Sequence, residues 1–167
     1  MASTQPGADK LLGIYLNDHL AGATVGVELA KRTANANRGT EFGGPLQQLA
    51  SEIDEDRSAL RRIMDRLGVR ADPVKTTLAW GAEKAGRLKL NGQLRGYSPL
   101  SRVVEVEGLI SGVNGKLSLW QALQVTAPSE PRLDAAELAS LEQRAEDQAR
   151  RLHELRDRAT AVAFSRA

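Results

Sequence analysis

Apolar residues recur every three or four positions in four separate stretches of the chain, and each stretch predicts an amphipathic helix. The last stretch is the longest. Leu138, Leu141, Ala145, Leu152, Leu155, Ala159 and Val162 hold the spacing for about 25 residues, a helix roughly 37 Å long at about 1.5 Å per residue. One narrow stripe on so long a rod cannot be buried alone, so it needs partner helices of similar length. The other three stretches supply them. The spacing predicts a first helix from Lys10 to Ala34, a second from Pro45 to Leu67 with Gly68 as its stop, and a third from Pro99 to about Leu123. Helix two carries the stripe Leu46, Leu49, Ile53, Asp56, Leu60, Ile63 and Leu67. Helix three carries Val103, Val106, Ile110, Val113, Leu117 and Trp120.

The centre of the first helix differs from the rest. Between Leu20 and Ala30 its one charge is Glu28, and Ala21, Gly22, Ala23, Gly26 and Ala30 leave several faces small. This predicts close backbone approach and the most buried helix of the set, repaying glycines that cost roughly 1 kcal/mol each in helix propensity.

The connections set the topology. Asn35–Gly44 is a glycine-bearing loop, and Val125–Arg132 is a short proline-bearing turn before a capping-box-like start at Asp134 and Glu137. The segment from Val69 to Tyr97 is far longer than the two to eight residues an antiparallel helix pair needs. It is long enough to run back along the bundle and to carry a short extra helix over Val74–Leu90, so helices two and three are expected to lie parallel. Residues 1–9 read as a polar arm, residues 10–163 as a single four-helix domain, and Ala163–Ala167 as a frayed end.

Composition narrows the class. Aromatics are only 4% of the 167 residues, with hydrophobic residues at 41%, which favours an all-α protein of close-packed helices. The 23 basic and 21 acidic residues leave a net charge of +2, too small a field to concentrate the chain on nucleic acid. There is no cysteine, hence no disulfide and no thiolate chemistry. With no secretory signal and no apolar run of about 18 residues, the expectation is a cytoplasmic protein that does not span a membrane. The crossover holds six basic residues against two acidic ones, with Trp80 and Tyr97 among them, but no nucleic-acid motif accompanies them.

Two antiparallel pairs joined by one long crossover resemble the ferritin-like four-helix-bundle superfamily over about Leu11 to Val162, including ferritin-like stress proteins of bacteria. Metal-binding members of that superfamily use two single Glu ligands and two Glu-x-x-His pairs. This chain has none: residues three before its histidines, His19 and His153, are Leu16 and Arg150. The family's ligands therefore do not carry over, and the resemblance implies a degenerate member.

Polar residues nonetheless sit on or beside the stripes. His19, Asp56, Glu107 and Gln148, one per helix, could share a buried layer. A buried carboxylate needs a cation, a metal or mutual hydrogen bonds, so two readings follow. In one the layer is a satisfied network that sets helix register, and Glu28 pairs with its helical neighbours Lys31 and Arg32. In the other, Glu28, Glu52, Asp56 and Glu107 form a reduced site for iron, manganese or zinc. The leading expectation is a non-catalytic bundle without a cofactor, acting as a homodimer or on an unknown protein partner, with small and apolar positions on helices one and three as the contact face. Carboxylate metal binding is the alternative.

Overall fold

A computed structural model describes residues 7–73 and 97–165, and within them the chain is all-α, with four helices and no strand. α1 spans Ala8–Ala36, α2 Gly43–Arg66, α3 Pro99–Thr126 and α4 Ala135–Phe164, with a three-residue 3-10 turn, Ala127–Ser129, after α3. The short helix expected over 74–90 lies outside the described residues, as does most of the arm at 1–9.

Local chemistry explains the helix ends. Ser98 caps α3 by accepting from Ser101 N at 3.0 Å, and Pro99 occupies the first turn, where a missing N–H costs nothing. Asp134 caps α4 through Oδ1, which accepts from Ala136 N at 2.9 Å and Glu137 N at 3.2 Å. Glu137 does not close the expected capping box; its carboxylate binds Arg66 on α2 instead. Gly68 ends α2 at φ +70°, a conformation that favours glycine, and lets Val69 N donate to Met64 O at 2.9 Å. α2 begins at Gly43, ahead of Pro45, because buried Phe42 anchors the loop beneath it.

Contacts along the rods give their directions. Lys31 of α1 meets Asp54 of α2 while Asn17 donates to Arg70 O just past the end of α2, so these two run antiparallel. Arg32 meets Glu105, and Gly108 faces Leu29, so α3 also runs against α1. α4 runs against α2, through Glu41–Arg158 near one end and Arg66–Glu137 near the other, and against α3 through Gln121–Glu142 and Lys116–Gln148. α2 and α3 are consequently parallel. The chain leaves α2 beside Asn17 and returns at Tyr97 beside Asn37, about 30 Å away along α1 at 1.5 Å per residue.

One core runs through all four rods. Leu16 and Leu20 of α1, Leu49 and Ile63 of α2, Val106 and Trp120 of α3, and Leu138 and Leu152 of α4 all belong to it. Every stripe residue expected on α2 is buried, Asp56 included. α3 departs from expectation: Leu117 is only half-buried, while Leu109, Leu119 and Leu123 turn inward. α1 is not the most buried rod. It buries 6 of its 29 residues against 9 of 24 in α2, because much of its small-residue face borders open space.

Candidate functional site

Asp56 stands at the middle of α2 with 2% of its surface exposed. Its neighbours Ile53 and Leu60 occupy the same stripe, so the helix that buries them must bury the carboxylate too. Three groups converge on it. Lys116 of α3 donates to Oδ2, Arg144 of α4 donates to Oδ1, and Gln148 Nε2 of α4 donates to Oδ2 at 3.1 Å. The Lys116 ammonium also donates to Gln148 Oε1 at 2.5 Å. Glu52, one turn earlier on α2, accepts from Gln148 Nε2 at 3.3 Å and from Arg151 Nη1 at 3.2 Å. The buried amide of Gln148 thus uses both ends, bridging two carboxylates and a lysine.

Electrostatics in this layer follow from its dryness. Burial pushes the Lys116 ammonium below its ordinary value, and the Asp56 carboxylate pulls only part of the way back. Burial alone would raise Glu52, but the hydrogen bond and charge of Arg151 outweigh it and hold the carboxyl below the usual range. An ion pair sealed this way adds little net stability, yet leaving one member unpaired is costly, so the layer fixes which residues face one another.

The residues expected from the sequence separate into two sets. Asp56 and Gln148 meet, and Glu52 joins them. Glu107 does not: it is exposed, because the inward turn of Leu109 and Leu119 rotates the buried face of α3 away from it. Glu28 is half-buried on α1, and its expected partners are engaged elsewhere, Lys31 with Asp54 at 2.7 Å and Arg32 with Glu105 at 3.1 Å. Among the described residues no three His, Asp or Glu side chains come together as a metal site. His19 is half-buried, in an edge-on contact with Tyr15 at 4.5 Å, and burial lowers its imidazole below the ordinary value against the opposing charge of Asp18.

Sequence reasoning missed the cations. Lys116 lies three residues after Val113 and four before Trp120, on the buried face itself, and that spacing was the available signal. A long apolar stem lets lysine follow a core stripe while its charge reaches a carboxylate. A second polar cluster was also unforeseen. Asn37, fully buried after α1, donates to Tyr97 Oη at 3.1 Å and accepts from Arg102 Nε at 2.5 Å, while Tyr97 donates to Glu105 at 2.8 Å. The Arg102 guanidinium lies 4.2 Å above the Phe42 ring.

Beside the layer, between α1, α2 and α3, lies a cavity of about 320 Å3. Asp56 and Lys116 border it, as do His19 and Trp120, and glycines from two helices line it: Gly22 and Gly26 of α1, Gly112 and Gly115 of α3. A Cβ at any of these four would meet nothing within 4 Å among the described residues. The small side chains therefore leave room between the rods, where close approach was expected; Gly108, facing Leu29 at 3.1 Å, is the tight exception on α3. No helix among the described residues is long and apolar enough to cross a membrane. The chain matches no protein-family model, no curated protein and no solved structure.

Proposed function

We propose that this chain is a non-catalytic bundle of ferritin-like layout that acts through protein contacts, first of all with a second copy of itself. The observation that carries this reading is the occupancy of Asp56. Its carboxylate is taken up by Lys116, Arg144 and Gln148, so the central layer works as a register device holding α2, α3 and α4 together. Parallel α2 and α3 support the ferritin-like layout, since an up-down-up-down bundle would set them antiparallel. Exposed apolar side chains at opposite ends of the α1–α3 pair, Leu11 and Ile14 at the start of α1 and Leu100 and Val104 at the start of α3, support self-association in which one pair of each copy meets the other pair of its partner.

Sedimentation equilibrium tests the contact. A dimer is expected at micromolar concentration, weakened by Ile14→Lys or Val104→Lys; a monomer throughout the range would overturn self-association. Metal analysis of protein purified without chelator tests the register role. Near-stoichiometric iron, manganese or zinc that disappears in Asp56→Ala would replace this reading with carboxylate metal binding.

A further inference from the structure

Glycine inside a helix is destabilising relative to alanine, so interior glycines normally mark a place where a neighbour presses close. At Gly22, Gly26, Gly112 and Gly115 nothing among the described residues presses. What these positions gain in exchange is volume. A cavity of 150 Å3 walled by apolar groups can hold benzene, so about 320 Å3 is room for a two-ring molecule. The wall is mainly apolar, from Ile53, Leu60, Leu109 and Val113 besides the glycines.

Beside the carboxylates of Asp18 and Asp56, the cavity wall carries hydrogen-bond donors. Trp120 is fully buried in the wall, and its Nε1–H has no acceptor among the described residues. Arg57 pairs with Asp54 through Nη2, while its buried Nε has no acceptor among the described residues. Lys116 has three N–H groups and spends them on Asp56 and Gln148, two acceptors, with its side chain 13% exposed. His19 borders the cavity, edge-on to Tyr15. Buried donors without acceptors are uncommon, because each loses the hydrogen bond it would make to water. The cations at the cavity are already matched, Lys116 by Asp56 and Arg57 by Asp54 at 2.5 Å, so a charged ligand would compete with those pairs.

From the open glycine wall and the unpartnered donors, we infer that the cavity between α1 and α3 is a binding site for a small, uncharged, two-ring apolar molecule bearing one hydrogen-bond-accepting oxygen. This goes beyond the partner reading and does not depend on it. The oxygen accepts from the donors at the Lys116 end while the rings lie against the glycine faces.

Calorimetric titration of the full chain with three probes tests it. 2-Naphthol should bind about tenfold more tightly than naphthalene, which lacks the oxygen, and more tightly than naphthalene-2-carboxylate, which adds a charge. In Gly26→Leu/Gly112→Leu, where the new side chains enter the open volume, 2-naphthol affinity should fall at least about tenfold while the melting temperature holds. Absence of binding to the unmodified chain, an unchanged affinity in the filled variant, or tighter binding of the carboxylate would each overturn the site. Should the filled variant fail to fold, the His19 ring protons decide: their NMR signals should shift on titration of the unmodified chain with 2-naphthol, and binding without that shift would refute it.

Discussion

Lys116 Nζ on α3 bonds Asp56 Oδ2 on α2, and the same ammonium lies 2.5 Å from Gln148 Oε1 on α4. A single side chain therefore ties three rods at mid-height, with Arg144 closing the other oxygen of Asp56. Removing the ammonium strands a carboxylate that is 2% exposed. Lys116→Met is expected to cost about 3 kcal/mol, at the low end for a broken buried pair because Arg144 remains. Lys116→Met/Asp56→Asn should recover at least half of that loss, since an asparagine carbonyl oxygen can still accept from Gln148 Nε2 and carries no charge. Urea unfolding at constant m-value measures both.

His19 makes folding sensitive to mild acid. Its folded-state value lies below the unfolded value of about 6.5, so as pH falls the unfolded chain binds the proton first. The contribution is complete above pH 6.5 and is lost progressively as pH falls toward the folded value. Thermal unfolding followed between pH 7.5 and 5 should show this decline, and His19→Gln should flatten it. Glu52 acts in a lower window: its depressed carboxyl stabilises the fold above about 4.5 and loses that effect on further acidification.

Alanine substitutions at glycines should divide by what lies opposite. At Gly112 a methyl group meets nothing within 4 Å among the described residues, so Gly112→Ala should stabilise by up to about 1 kcal/mol. At Gly43 a Cβ would stand 2.7 Å from the carbonyl oxygen of Asn37, which is backbone and cannot swing aside. Gly43→Ala is expected to destabilise by more than about 1 kcal/mol and to loosen the α1–α2 connection. Differential scanning calorimetry of the two variants reads the opposite signs.

Asn37 should matter more than its position in a loop suggests. It is fully buried, and its side chain bonds Thr33 O at 2.8 Å, Tyr97 Oη and Arg102 Nε. Asn37→Ala leaves the Tyr97 and Arg102 groups short of a partner at once, for an expected loss of about 2–3 kcal/mol in chemical denaturation. Thr40→Ala, in the same loop but exposed, should cost well under half as much.

What the chain determined by itself is the set of rods and their order. Stripes at helical spacing place Leu49, Ile53 and Leu60 of α2 or Leu141, Leu152 and Leu155 of α4 on one side irrespective of what lies opposite, because 3.6 residues per turn is a local property of the backbone. Asp56 and Gln148 were legible for the same reason, as polar residues on stripes that had to be buried. The length of the segment after α2 likewise implied that α2 and α3 run parallel.

The tertiary structure decided the rest, because it depends on how far each rod rotates about its own axis. A small rotation of α3 brought Lys116 inward and sent Glu107 to solvent, although both flank the same stripe. Whether small residues draw helices together or hold them apart is also a property of the pair: Gly108 meets Leu29 across the gap, while Gly112, one turn on, faces none of the described residues within 4 Å. Periodicity along one chain names the face of a helix; only the packed neighbours determine what that face touches.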